Sequence, residues 1–325
     1  MMNFEKFVNY IKENVTMGWK EDASTKIFVV QKNNGVKLHA LCINEPDTNI
    51  SPSIYLEEYY NSYQDGLSME SVVENIRKKY VEKKPADGNL SIPADDFSFV
   101  QDKIFYRVVN YDANKEILSE CPHIKLNDLA VTFRWIVIKN EQSIGSSLIT
   151  NDAVRQWGIS DEDLYLIASE NTPRLFPAKI YDMDKIFGGF FWEEDSHVPM
   201  YILTNEQGMN GASCLLYTDI LKDFSKKHGG DIYILPLSIH EVILIPADKI
   251  SDLTKLYEAV SGANSNFVAE TDILSNSIYF YDRSKDQIQT LSEENFVWAS
   301  FLFLVLSIHT ICETRLLTKR RKIYI

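Results

Sequence analysis

The sequence predicts an α+β protein: a small N-terminal helix–hairpin–helix region followed by a larger mixed α/β sheet domain. Three observations carry this. Apolar residues recur at helical spacing in Phe4, Phe7, Val8 and Ile11, and again in Met69, Val72, Val73, Ile76 and Tyr80. Strict alternation runs through Leu129, Val131, Phe133, Trp135 and Val137, the pattern of a long strand. Two nearly continuous apolar runs, Ile232–Leu235 and Ile239–Ile245, read as central strands covered on both faces. The chain has 325 residues, enough for two ordinary domains. We read residues 1–84 as the N-terminal region, 85–294 as the main domain and 295–325 as a hydrophobic and basic tail.

In chain order, residues 3–14 form an amphipathic helix. Thr25–Gln31 and Val36–Ile43 are strands joined at Asn33-Asn34-Gly35, because Asn and Gly tolerate positive φ. Ser51-Pro52 reads as a helix start that stacks Tyr55, Tyr59 and Tyr63 until Gly66. Ser68 opens the next helix, whose other face carries Arg77, Lys78 and Lys79. The run Lys83–Gly88 is a linker. Strands follow at Ile104–Val109 and 128–138, then helices near 151–157 and 161–170. The second helix has a Ser160/Asp163 capping box and is ended by Asn171-Thr-Pro173. Residues 173–199 read as a loop or flap. Met200–Thr204, the turn Gly208–Gly211, a helix over 212–227, the two apolar strands and a helix over 250–260 make the nucleus of the main domain. Ile278–Tyr281 and Gln287–Gln289 form a last hairpin.

Composition narrows the function. The apolar share of 45% supports a real core, and the net charge of −13 disfavours polyanions such as nucleic acid unless a local basic patch overrides it. Cys42, Cys121, Cys214 and Cys312 are too far apart for a zinc knuckle or redox pair, and a reducing cytoplasm is the default compartment. His240-Glu241 has Leu244 where a zinc-protease helix needs its second His. Ser238 beside His240 lacks the Gly-x-Ser-x-Gly frame of a nucleophile elbow. Gly208-Met-Asn-Gly211 lacks the Gly-Lys-Ser/Thr ending of a phosphate loop. Arg134 and Arg174 are the better candidates for a specific contact, since arginine meets carboxylate or phosphate at two points. A groove between the two regions would lie near Arg134, Arg174 and His240.

The tail from Phe296 to Lys322 admits three readings: a membrane anchor, a core helix, or sequence foreign to the domain. Spanning needs about 20 apolar residues, and the uncharged run Phe296–Cys312 is shorter than that.

The strings Lys32-Asn-Asn-Gly35, Ile50-Ser-Pro-Ser-Ile-Tyr-Leu56, Trp157-Gly-Ile159, Glu170-Asn-Thr-Pro173 and Ile239-His-Glu-Val-Ile-Leu-Ile-Pro246 carry a resemblance. The chain resembles an uncharacterised bacterial family, a domain of unknown function common in anaerobic gut Firmicutes, from about residue 3 to about 294. The resemblance implies no activity. The expectation is therefore a non-catalytic protein that binds a protein or other ligand without a metal or cofactor, with Arg134, Arg174, His240 and Glu241 as binding residues. The alternatives are a hydrolase with a non-standard site at Ser238, His240 and Glu241, and an adaptor tethered to a membrane through the tail.

Overall fold

The computed structural model describes residues 1–19, 23–46, 51–84, 92–139, 144–187, 198–250 and 252–291. The tail and the centre of the expected flap lie outside these residues. The chain divides into two compact units, Met1–Pro93 and a second beginning at Ala94. Both are α+β, and every strand pair among the described residues is antiparallel.

In the first unit, helix α1 (Phe4–Asn14) is capped by the Asn3 side chain. Strands β1 (Ser24–Gln31) and β2 (Lys37–Asn44) form the expected hairpin, with Asn34 at φ 59° and Gly35 at φ 72° in its turn. The helix expected from Ser51 is corrected. Ile54–Tyr55 is instead a short strand, β3, paired to Leu41 and Ala40 of β2. The Ser51 hydroxyl accepts the Ile43 N–H at 3.0 Å, so it caps the end of a strand rather than a helix. Helix α2 (Glu57–Gln64) starts only after Leu56, and α3 (Met69–Lys83) follows its Ser68 cap. The core joins Phe7 and Ile11 of α1, Leu41 and Ile43 of β2, and Val72, Ile76 and Tyr80 of α3. Arg77 does not face solvent freely. It donates to the carbonyls of Asn14, Val15 and Met17 at 2.8–3.0 Å and so caps the C-terminal end of α1.

The second unit holds two sheets. The smaller is built on β6 (Leu129–Lys139), with β4 (Ile104–Asn110) along one edge. Along the other edge lie β5 (His123–Leu126) and then β7 (Ile144–Leu148), two strands that the sequence did not announce. Short helices α4 (Phe97–Val100) and α5 (Lys115–Leu118) flank β4, and α6 (Asn151–Trp157) follows β7. Helix α7 (Asp161–Leu175) has the expected capping box but runs through Pro173. Proline removes one rung only. Phe176, 3% exposed, holds the last turn by donating its N–H to Thr172 O at 2.9 Å, and the Tyr217 hydroxyl donates to Phe176 O at 2.8 Å.

The larger sheet has the order β13–β12–β10–β11–β9–β8. Part of the expected flap is regular: β8 (Ala178–Asp182) and α8 (Met183–Phe187). After β9 (Tyr201–Asn205), the single helix expected over 212–227 is broken. A 3-10 segment, Gly211–Leu216, precedes α9 (Ile220–His228), with Asp219 at φ 64° between them. Ala212, Ser213, Cys214 and Leu215 are all buried, so this segment has no solvent face to make an amphipathic helix. Strands β10 (Ile232–Ser238) and β11 (Glu241–Pro246) are central and almost wholly buried, as their continuous apolar runs require. Helix α10 (Thr254–Asn266) continues past Gly262, where an end was expected. It packs Leu256, Ala259, Val260 and Ala263 against Leu235, Leu237, Ile243 and Ile245. Strands β12 (Ile278–Asp282) and β13 (Gln287–Leu291) close the sheet. Among the described residues, no helix is long and apolar enough to cross a membrane.

Candidate functional site

The turn between β10 and β11 brings Ser238, His240 and Glu241 together in packing. All three are buried, at 2–4% exposure. The Ser238 hydroxyl donates to Glu241 Oε1 at 2.9 Å and accepts the His240 backbone N–H at 3.1 Å. The His240 ring is engaged on both sides. Its Nδ1 accepts the Asn210 N–H at 3.2 Å, and its Nε2 lies 3.6 Å from Asp272 Oδ2. A neutral ring whose Nδ1 accepts must carry its proton on Nε2, facing that carboxylate. Neither nitrogen is left for Ser238, and the serine proton is directed at a carboxylate. The nucleophile–base contact of a hydrolase is therefore not the contact this turn makes.

The Gly208–Gly211 turn serves the same knot. A Cβ on Gly211 would sit 2.2 Å from Thr204 Oγ1 and 2.4 Å from His240 O, closer than any side chain can stand. Thr204 Oγ1 itself donates to His240 O at 2.7 Å. The glycine is needed for close approach inside the molecule, and the turn is shaped by Asn205, which donates to Met209 O at 2.7 Å.

Arg174 is exposed and staples the end of α7. It donates to Asn171 Oδ1 at 2.7 Å and to the Asp102 carbonyl at 3.0 Å.

Arg134 is different. It is half-buried on β6, and its guanidinium donates from Nε to Ser146 Oγ at 2.9 Å and from Nη2 to Ser146 O at 2.8 Å. Burial pulls its pKa down from 12.5 to about 9, and the like charge of Arg107 adds to the effect. Among the described residues no carboxylate is paired with it. Its surroundings are a hydroxyl, a carbonyl, a second guanidinium and the Cys121 thiol, which burial pushes up to about 11.

The register explains the neighbourhood. Directly opposed residues of antiparallel strands share a face. Thr132 opposes Arg107 on β4 and His123 on β5, and Ala130 opposes Lys125. Arg134, two residues from Thr132, lies on this face with Arg107, His123 and Lys125. Lys125 Nζ sits 4.2 Å from the centre of the Tyr111 ring. A chain of net charge −13 thus concentrates basic side chains on one face of its smaller sheet. Sequence reasoning found Arg134 and missed Arg107, His123 and Lys125, because nothing in the spacing announced β5 or its register.

Sequence reasoning also missed Asp128. Its carboxylate accepts hydrogen bonds from Tyr279 Oη at 2.6 Å, from Ser277 Oγ at 3.0 Å and from Ser275 Oγ, so it ties the turn before β6 to the segment entering β12. A cavity of about 10 Å³, room for about one water, is lined by apolar residues including Val108, Leu129, Leu215 and Ile288. Among the described residues, no group of three His, Cys, Asp or Glu side chains is placed to hold a metal.

No curated protein and no solved structure matches the chain. A family model matches residues 4–283, and the chain belongs to that family, DUF5688, a family of unknown function.

Proposed function

We propose that the chain is a non-catalytic binding protein that holds an anionic group, carboxylate or phosphate, on the sheet face around Arg134. The observation that carries this reading is a desolvated guanidinium with no paired carboxylate among the described residues. Arginine has five N–H donors in a planar fork. Two are spent on Ser146, which fixes the plane of the group and leaves three for a ligand. Arg107 and Lys125 supply the surrounding positive field, and His123 adds a polar ring beside them. Three free, buried cysteines, Cys42, Cys121 and Cys214, suit a cytoplasmic, reducing setting.

The test is thermal unfolding of the full chain and of Arg134→Met with phosphate, pyrophosphate, citrate or glutamate, against chloride at equal ionic strength. A ligand at 100 times its Kd stabilises by about 2.7 kcal/mol. The wild type should gain stability with at least one of these anions and the variant with none. Equal responses from both proteins, or no response beyond chloride, would sink the reading.

A further inference from the structure

We infer that β1 is an interaction surface whose partner is β1 of a second copy of this chain, added edge to edge and antiparallel. This is independent of the anion site. Strand β1 is outermost in its sheet, and all eight of its residues pair with β2 in one unbroken register. The Lys32 N–H reaches Val36 O at 2.7 Å across the mouth of the hairpin. Backbone groups alternate in direction along a strand, so the even-numbered residues of β1 bond to β2. The N–H and C=O groups of Thr25, Ile27, Val29 and Gln31 then point outward from the sheet.

Natural edges are usually shortened, bulged, charged or covered, and three other edges of this molecule follow that rule. On β4, the outward N–H groups of Tyr106 and Val108 are taken by the hydroxyls of Thr172 and Ser213 at 3.0 and 3.2 Å. Strand β3 has two residues, and β8 carries Lys179 in an ion pair with Glu206 at 3.0 Å. Among the described residues, β1 has only one of these devices, a single charge. It contains no proline and no bulge, and its one charge is Lys26. Phe28 and Val29, on opposite faces, are 45% and 55% exposed.

The strand is complementary to itself. A two-fold axis through Phe28 places Phe28 opposite its own copy, Ile27 opposite Val29, Thr25 opposite Gln31 and Lys26 opposite Val30. The outward groups of 25, 27, 29 and 31 then meet each other in hydrogen-bonded pairs, and the two lysines never face one another. Phe28 falls in a non-hydrogen-bonded pair, where Cα atoms approach to roughly 4.5 Å, within disulfide range.

The test uses the full chain. Sedimentation over a concentration series should show the mass rising toward twice the monomer. Val29→Pro should stay monomeric while keeping the wild-type melting temperature, because it removes only an outward N–H. With diamide as oxidant, Phe28→Cys should form an intermolecular disulfide at least tenfold faster than Lys26→Cys, whose copies lie four residues out of register. A wild type that remains monomeric at every concentration, or equal cross-linking by the two cysteine variants, overturns the inference.

Discussion

Replacing Arg134 with methionine should make the protein more stable. Holding this cation in its half-buried place lowers its pKa from 12.5 to about 9, a gross cost of roughly 5 kcal/mol at about 1.4 kcal/mol per pH unit. Water still reaches part of the side chain, so we halve that figure. Against the gain stands the loss of two hydrogen bonds to Ser146. Ser146 is itself half-buried, so water can replace the donors at small cost. Methionine keeps an apolar stem on the face that Arg134 shares with Ile136 and Leu148. Swapping a poorly compensated buried charge for an apolar side chain of similar volume is commonly neutral or stabilising. The net expectation is a gain of about 1–2 kcal/mol, or roughly 2–8 °C in melting temperature for a unit of this size. Urea unfolding at pH 7 measures it. A variant less stable than wild type by about 1 kcal/mol or more would show that the guanidinium is a structural tie between β6 and β7. The anion reading would then lose its physical basis.

Three further outcomes follow from the same geometry. Gly211→Ala should cost about 3 kcal/mol or more, since its new methyl meets the His240 carbonyl and Thr204; a change under 1 kcal/mol in urea unfolding would contradict the packing described. Asp128→Ala strands the hydroxyls of Ser275, Ser277 and Tyr279 and should cost about 2–4 kcal/mol, whereas Asp128→Asn should cost less because it still accepts; equal losses would show that hydrogen bonding is not what the site supplies. Alkali should destabilise the fold from about pH 9, where the unfolded thiols ionise while burial holds Cys121 and Cys214 protonated up to about 11 and 12. The unfolded state then binds fewer protons, so stability falls by about 1.4 kcal/mol per pH unit for each thiol, while Arg134 opposes with one such term of the other sign. Replacing both cysteines with alanine should flatten the loss between pH 9 and 10, and an unchanged slope would refute the assignment.

What could be read from the sequence was set by short-range physics. Helix α1, the β1–β2 hairpin, α3 and the central pair β10–β11 depend on local periodicity and turn chemistry, which one chain displays directly. The errors share one cause, which is that tertiary partners overrode a local signal. Ser51 carries a helix-capping side chain, yet Ile43 on the neighbouring strand takes it. Pro173 is a helix breaker, yet burial of Phe176 and the Tyr217 hydroxyl carry the helix through. Gly211 resembles part of a ligand loop, yet its missing side chain makes room for a carbonyl of the same chain.

The site follows the same division. Arg134 stands out on an apolar strand because a lone guanidinium breaks the pattern. Its companions do not stand out, because Arg107, His123 and Lys125 come from two other strands and meet it only through register. Shifting β5 by one residue against β6 would turn His123 and Lys125 to the opposite face and leave the two arginines with less positive field around them. The basic face is thus a property of strand alignment, fixed by burial of apolar residues on the same face, Val109 and Ala130, which pack with Leu118. A core substitution such as Ala130→Val, which removes no charge but stands opposite Lys125, should therefore weaken anion binding as well as stability. Loss of stability with full binding retained would show that the cations act one by one rather than as a face.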